Sequence, residues 1–520
     1  MKKVFLDIES ITNQINNYNK KNSYSISWAD FIKIESSVKE MLNKFIIDSD
    51  NEENKKLLVI NYKIFIDLSN ILYYLKLTNN LNQNQIYFKD LSYFSSLIKS
   101  SHSINLSSKP INSKKLTTKN KIRLLYKRLK NFFLVNTPLV IFSKKKKFML
   151  IESDSSYTIE FLKKSKALTI PLSLTKILSE NYFKVKLSEN QIKACDDLSE
   201  QISTSFLVLL KNHHINDKSL GLLLKKHYSL IFQKTLISKI VFDNYLHKKK
   251  PIDLYIGSNN NSLLRTFTSS VMSRGGQVSV FTHGEPIIYD WDKISWMELT
   301  LSNNYYEYSK SLANSLKNAN EKQNLLNSNC QIKSFDTKQF IEIRKNNNNV
   351  DNINPNSVMF LANEYVRDGQ LSQVSSFTNI IQYEFELKIL KFLSTIFKRV
   401  YYKRHPGGVF SEKKINFFPE NIIIINEPYE SVQNLSQTII FGHSKTTAIG
   451  HALSTKKNII LFTGSWEVFE ENVFKSLNKQ VHLLSFIESG GFLDFNKTDL
   501  LHAIKNPKNN YSYYNNFLAN

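Results

Sequence analysis

Residues 399–464 decide the fold of this chain, because they contain two polar turns that each follow a short apolar strand. Residues 399–408 read RVYYKRHPGG, and residues 438–448 read TIIFGHSKTTA. The segment between the turns is long enough for the chain to leave a sheet and return to the same edge. Since ligands of open α/β sheets bind beyond the carboxyl ends of the strands, the sequence predicts that both turns belong to one binding site.

Strand and helix patterns alternate on both sides of this stretch. We expect strands at 252–256, 277–282, 299–302, 357–362, 400–403, 422–425, 438–441 and 458–462, with helices at 262–273, 305–317, 377–397 and 446–453. Alternation of this kind predicts parallel sheets with helices on their faces. The expected fold class is therefore α/β, with two Rossmann-like domains that face a cleft.

The chain of 520 residues is too long for one ordinary core and predicts several parts. Residues 1–250 are expected to be helix-rich, with amphipathic patterns at 28–47, 188–212 and 220–246. Residues 251–350 form the α/β part of the N-terminal half, and an Asn/Lys-rich linker at 318–356 overlaps their end. Residues 351–520 form the C-terminal Rossmann-like domain.

The formal net charge of +24 predicts an anionic partner. A basic segment at 101–151 contains no Asp or Glu, and residues 121–134 within it fit a basic amphipathic helix. Such a helix can lie on an anionic membrane or serve as the surface helix of a folded domain. An excess of Lys throughout the chain is the alternative explanation of the charge, and the absence of a nucleic-acid-binding motif argues against nucleic acid.

The expected setting is the cytoplasm, with peripheral contact at the inner face of the membrane. Cys195 and Cys330 are too few for a disulfide framework or a zinc cluster. Asp7 and Glu9 interrupt the start where a signal peptide would be apolar. No apolar run reaches the roughly 18–20 residues that span a bilayer.

The second turn has the composition of an anion site. Gly442, Ser444, Thr446 and Thr447 lie between a strand and a predicted helix, where backbone N–H groups and hydroxyls point toward the ligand. A phosphate suits such donors. The alternative is that Ser and Thr only cap the helix.

The first turn places a histidine on a stiff backbone. Lys403 and Arg404 precede His405, and Pro406 fixes the backbone that follows it. The imidazole could donate a hydrogen bond to a phosphate or carry a proton. We expect these four residues to act with the second turn.

Together the two turns resemble the nucleotide-binding half of bacterial GT-B glycosyltransferases that use CMP-activated sugars. Sialyltransferase-like, polysialyltransferase-like and Kdo transferase-like families of surface polysaccharide synthesis carry a His-Pro motif and a downstream Ser/Thr motif, which hold the CMP moiety. The resemblance covers about 357–462. It implies nucleotide binding by His405 and Pro406 and by Ser444, Thr446 and Thr447, with a CMP-sugar as substrate and no cofactor or metal.

Those families also have an acidic motif that supplies the catalytic base, and this chain has no clean copy of it. His283 and Glu285, at the end of a predicted strand in the N-terminal half, are the expected base. The letters of the motif fit better at Asp368, which lies in the other half. Asp290 and Asp292 match a metal-binding Asp-x-Asp, but the paired Rossmann-like halves favour metal-independent chemistry.

Three functions fit these patterns. The preferred one is transfer of a sialic acid-like or Kdo-like sugar from CMP to an acidic glycan or lipid-linked acceptor at the bacterial surface. The His-Gly turn at His283 is also similar to CDP-glycerol transferases of teichoic acid synthesis, which implies transfer of a polyol phosphate. A non-catalytic scaffold of polysaccharide assembly would keep the fold and need no base.

Overall fold

The computed structural model describes the larger part of the chain in separate segments. These are residues 4–5, 28–62, 64–78, 86–87, 146–150, 156–164, 168–215, 218–247, 249–259, 261–282, 298–323, 329–346, 356–362, 379–405, 418–444, 446–465, 467, 469–489 and 492–519. Most of the basic segment at 101–151 lies outside them, and so does the helix expected at 121–134.

Helices dominate the described residues that precede the first large sheet. They are α1 (Trp28–Asp48), α2 (Glu52–Ile60) and α3 (Ile64–Thr78), while β1 (Val4–Phe5) and β2 (Ile86–Tyr87) form a small parallel pair. In α1, Phe31, Ile34 and Val38 recur every three or four residues and are buried. This spacing places them on one face of the helix, which confirms the helix expected at 28–47.

A long helical hairpin follows, formed by α6 (Glu189–Asn212) and α7 (Lys218–His247). Ser188 and Gln191 form a reciprocal capping box that fixes the start of α6. The helices expected at 188–212 and 220–246 are therefore confirmed. Within the described part of the chain, no helix is both long and apolar enough to cross a membrane.

The first large sheet has six parallel strands in the order β4-β3-β5-β6-β7-β8. Its strands are β3 (Lys146–Leu150), β4 (Leu168–Leu172), β5 (Asp253–Ile256), β6 (Gln277–Phe281), β7 (Asn304–Glu307) and β8 (Gln331–Ser334). The associated helices are α4 (Ser156–Lys164), α5 (Leu174–Asn181), α8 (Ser262–Ser273), α9 (Lys310–Gln323) and α10 (Gln339–Asn346).

This sheet differs from the expectation in three places. The strands β3 and β4 come from the region expected to be helix-rich, and β8 and α10 occupy the expected linker at 318–356. The strand expected at 299–302 is wrong, because the Ser302 hydroxyl bonds back to the carbonyl of Glu298 and closes a turn. The strand begins at Asn304 instead.

The second large sheet also has six parallel strands, in the order β11-β10-β9-β12-β13-β14. The strands are β9 (Ser357–Leu361), β10 (Arg399–Lys403), β11 (Ile422–Ile425), β12 (Thr438–Phe441), β13 (Asn458–Thr463) and β14 (His482–Ser485), with α11 (Asn379–Ser394), α12 (Tyr429–Val432), α13 (Ala448–Leu453) and α14 (Glu471–Gln480) between them. The chain continues through the antiparallel pair β15 (Ile487–Ser489) and β16 (Phe492–Asp494) into α15 (Lys497–Lys505) and a π-helical turn (Tyr514–Leu518). The strands expected in this half are confirmed.

The end of the chain links the two halves. The Ser309 hydroxyl at the start of α9 donates to the carbonyl of Phe517 at 2.5 Å. Arg344 in α10 donates to the carbonyl of Thr455 at 2.7 Å, and its guanidinium lies 3.8 Å from the ring centroid of Tyr511. These contacts tie the helices of the first sheet to the second; that the two sheets face a cleft stays a prediction.

Candidate functional site

The strand order of the second sheet brings the two predicted turns to one edge. Strand β9 is the first of the sheet in chain order and lies between β10 and β12. Lys403 and Phe441 both pair with Leu361, so the strands end at the same level. The turns therefore leave the sheet two strands apart, about 10 Å, on either side of the point where the strand order reverses.

The turn after β12 begins with a glycine that the packing requires. A Cβ on Gly442 would lie 2.8 Å from Cζ of Phe360 in β9. A distance this short leaves no room for a side chain, because Phe360 is fully buried in the sheet core. Gly442 thus lets the turn pass close over the central strand.

Ser444 is buried and its hydroxyl bonds to an acid of the neighbouring turn. The hydroxyl donates to Glu467 Oε1 at 2.6 Å, and the other carboxylate oxygen accepts from the backbone N–H of Gly464 at 3.2 Å. Glu467 thereby joins the turns that follow β12 and β13. Sequence reasoning missed Glu467, since a single Glu after a strand carries no signal of its own.

The helix α13 begins two residues later than expected and has six residues. The backbone N–H of Ala448 donates to Thr446 Oγ1 at 3.4 Å, and a role of Thr446 as a ligand donor stays a prediction. Thr447 is exposed, and its side chain makes no cap hydrogen bond. Its hydroxyl is the one in this turn most accessible to a ligand.

The turn after β10 is fixed by the backbone ladder. The N–H of Ala362 donates to the carbonyl of Lys403, and the N–H of Arg404 donates to the carbonyl of Ile425. Lys403 and Arg404 are buried, whereas His405 is half-buried at the edge. Among these side chains, His405 is the one best placed to meet a ligand.

The buried ammonium group of Lys403 contributes positive charge at the turn after β10. This group donates to the carbonyl of Arg404. Burial lowers the pKa of Lys403, while the neighbouring Glu430 and Glu427 act in the opposite direction. Burial also lowers the pKa of Arg404. The two cations make this edge of the sheet attractive to an anion.

A polar cluster flanks this edge at α12 and α13. The rings of Tyr429 and His451 meet edge to face, with centroids 5.6 Å apart. Burial raises the pKa of Tyr429 and lowers the pKa of His451, so both side chains are held in their neutral forms. The cluster adds neutral hydrogen-bonding groups beside the cationic turn.

The edge of the first sheet carries a buried acid that the sequence did not single out. Glu298 Oε1 accepts from the Ser258 hydroxyl, and Oε2 accepts from the backbone N–H of Asn259, both at 2.9 Å. These residues follow β5, next to β3, where the order of this sheet reverses. Because both carboxylate oxygens bond to residues 258–259, Glu298 holds the loop that follows β5 in place.

Glu307 ends β7 at the same edge and is also buried. Burial raises its pKa to about 8, although hydrogen bonds from the backbone of Tyr308 and the side chains of Thr282 and Tyr305 act in the opposite direction. The carboxyl group therefore binds its proton near neutral pH. Its position directly beside the strand end at Thr282 was not predicted.

The structure thus brings together Lys403, Arg404, His405, Gly442, Ser444, Thr446 and Thr447. Pro406 lies outside the described residues, and so do the predicted base residues His283 and Glu285. Asp290, Asp292 and Asp368 lie outside them as well. Among the residues described, no three His, Cys, Asp or Glu side chains are grouped closely enough to hold a metal ion.

Comparison with known proteins gives only remote likenesses. No protein-family model matches the sequence, and no curated protein matches it. A UDP-N-acetylglucosamine 2-epimerase from Rickettsia bellii is similar in structure at 10% identity over 72% of this chain and 93% of its own, with a TM-score of 0.39. A protein assigned as the same enzyme from Listeria monocytogenes shares 10% identity over 72% of this chain and 94% of its own, with a TM-score of 0.35.

Proposed function

We propose that this chain is a metal-independent glycosyltransferase of the GT-B type that takes a sialic acid-like or Kdo-like sugar from its CMP donor. The acceptor in this proposal is an acidic or lipid-linked glycan of the bacterial surface. The observation that supports it best is the strand order of the second sheet. That order puts the His405 turn and the Gly442–Thr447 turn on either side of β9, where a nucleotide binds in open α/β sheets.

The phosphate of the CMP donor would lie between the two turns. In sugar transfer the bond between the sugar and the phosphate breaks, and negative charge develops on the phosphate that leaves. His405 and the Thr447 hydroxyl would donate to these oxygens, while buried Lys403 and Arg404 supply positive potential from below. Donors that are already in place stabilise this charge without the cost of reorganisation.

The acceptor hydroxyl needs a base from the other half of the molecule. His283 or Glu285 remains our proposed base, because both follow the strand end at Thr282. The neighbouring carboxyl of Glu307 is fully buried and accepts from the backbone N–H of Tyr308, so an acceptor hydroxyl could not reach it. Both halves would have to close over the donor to complete the site.

A donor-hydrolysis and transfer assay tests the proposal. CMP-sialic acid, CMP-Kdo and CDP-glycerol are offered in turn, and release of CMP is followed. We expect release from a CMP-sugar by the wild-type protein and at least about a hundredfold loss in the His405→Ala variant, as for other lost transition-state donors. His482→Ala is the matched control, since His482 lies on the edge strand β14 and bonds to the carbonyl of Asn506.

Each outcome bears on the choice of function. Turnover of CDP-glycerol alone would replace the proposal by polyol-phosphate transfer. Absence of both turnover and cytidine-nucleotide binding would favour a non-catalytic scaffold of polysaccharide assembly. Full activity of His405→Ala would remove this residue from the site.

A further inference from the structure

The helix α7 exposes a face made only of leucine and lysine. Between residues 220 and 240, its exposed side chains are Leu222, Lys226, Leu230 and Lys234, which we call the Leu/Lys face. Leu222 is 75% exposed and Leu230 is 44% exposed. Residues four apart neighbour each other on a helix, so the face extends for about 18 Å along α7.

The lysines of this face are not neutralised by described acids. Elsewhere on the hairpin, Lys225 pairs with Glu200 at 2.7 Å and Lys239 pairs with Asp243 at 2.7 Å. Lys226 and Lys234 have no carboxylate of the described residues within ion-pair distance. Their positive charge is therefore available to an anionic partner.

The partner helix α6 shows a different exposed face. Its exposed positions include Asp197, Glu200, Thr204, Val208 and Lys211, so an apolar side chain and both signs of charge occur together. The two helices of the hairpin therefore differ in charge. The helix α6 exposes acids beside its lysine, whereas the Leu/Lys face exposes none.

We infer that the Leu/Lys face docks this protein onto an anionic membrane surface. The transfer of leucine side chains from water to the acyl boundary lowers their free energy. The flexible lysine stems let the ammonium groups reach the lipid phosphates. A second copy is a poorer occupant, because an antiparallel two-fold contact would bury Lys226 and Lys234 against leucines with no acid of the face opposite them. A nucleic-acid backbone would attract the lysines but leave the leucines in water.

The inference is independent of the proposed donor, since membrane docking needs no nucleotide. It does bear on the acceptor, because a docked protein meets lipid-linked glycans at the membrane surface. Membrane binding is therefore measured without substrate. A protein that fails to bind vesicles could still transfer a sugar, and a protein without transferase activity could still bind vesicles.

Vesicle co-sedimentation of the full chain tests the docking surface. Vesicles of equal parts phosphatidylglycerol and phosphatidylcholine are compared with vesicles of phosphatidylcholine alone. We expect binding to the anionic vesicles and a loss of at least about tenfold in the partition coefficient for Lys226→Glu with Lys234→Glu. A second variant, Leu222→Ser with Leu230→Ser, keeps the charge and should also lose binding.

A matched control uses helix α14, which exposes Phe474, Lys475 and Lys479 on the other half of the chain. Lys475→Glu with Lys479→Glu makes the same change of net charge and should retain at least half of the wild-type binding. If both double lysine variants lost the same amount of vesicle binding, binding would depend on overall net charge and not on this face, and the inference would be overturned.

Two further results would also overturn it. One is wild-type binding in both Leu/Lys variants, which would assign any affinity to another part of the chain. The other is a wild-type oligomer in light scattering that dissociates in the same variants without lipid, which would make the face an interface between copies. Thermal unfolding of each variant checks that the exposed substitutions leave the fold intact.

Discussion

The Ser444 hydroxyl donates to the Glu467 carboxylate at 2.6 Å, and this bond joins the two turns that follow β12 and β13. Glu467 also accepts from the N–H of Gly464, so one acid organises both turns. Ser444 is therefore held by the neighbouring turn, whereas His405 and Thr447 are the residues that would meet the ligand in the proposed site.

A double-mutant cycle measures this bond. Ser444→Ala should lower the free energy of unfolding by about 1.5–3 kcal/mol, because it removes a hydrogen bond to a charged group. Glu467→Ala should cost a similar amount, and the two changes should be strongly non-additive. Ser454→Ala is the control, since Ser454 bonds to the carbonyl of Gly450 and should show additive behaviour with Glu467→Ala.

Gly442→Ala should disturb the turn through its contact with Phe360. The new methyl group would lie 2.8 Å from the ring, so we expect a cost of about 1–3 kcal/mol in unfolding free energy. Phe360→Leu should cost less stability in the Gly442→Ala background than in the wild-type protein, because it makes room for the methyl group. A Gly442→Ala variant as stable as wild type would contradict the close packing.

The buried Glu307 should make stability depend on pH. Its pKa in the folded protein, about 8, lies above the ordinary value. The stability that it contributes is full below the ordinary pKa and is lost as the pH rises toward 8, by at most about 1.4 kcal/mol per pH unit. Glu307→Gln keeps the shape without the proton equilibrium.

Urea unfolding of wild type and Glu307→Gln between about pH 5 and pH 8 checks this. We expect the wild-type protein to lose stability relative to the variant as the pH rises. A stability difference that stays constant across this range would show that the carboxyl group is not held protonated.

Arg265 should stabilise the C-terminal end of helix α2. Its guanidinium is fully buried and donates to the carbonyl of Val59 from Nε at 3.0 Å and from Nη2 at 2.6 Å. It also lies over the ring of Tyr62. Because Val59 O is among the last carbonyls of the helix, Arg265 supplies a partner that the helix lacks.

Arg265→Met should therefore reduce hydrogen-exchange protection in α2 more than in the second sheet. Exchange measured by mass spectrometry on both regions gives the comparison within one sample. Equal loss of protection in both regions would indicate global destabilisation, and no loss would contradict the anchoring role.

The sequence predicted most of the second half because its signals are local. The strands at 422–425 and 438–441 are short apolar runs that end in polar turns, and their positions hold in the structure. The strand order that places β9 between β10 and β12 depends on long-range packing, so no local sequence pattern predicts it. The site required both kinds of information.

The misses have the same physical origin. Glu298 and Glu467 act through partners distant in the chain, Ser258 and Ser444, so spacing gave no clue to either. The strand β3 lies in a lysine-rich segment whose charge conceals its pairing with β4 and β5. Thr446 was weighed as a ligand donor or a cap; its hydroxyl oxygen accepts from the N–H of Ala448, and its role as a ligand donor stays a prediction.

Calorimetric titration of CMP into the wild-type protein and into His405→Ala and Thr447→Val measures whether this edge of the second sheet binds a nucleotide. We expect CMP to bind the wild-type protein and each variant to lose at least about tenfold in affinity, since each lacks a donor to the phosphate. His482→Ala should bind CMP as tightly as wild type. Absence of CMP binding by the wild-type protein, or unchanged affinity in both site variants, would contradict a nucleotide site at this edge of the sheet.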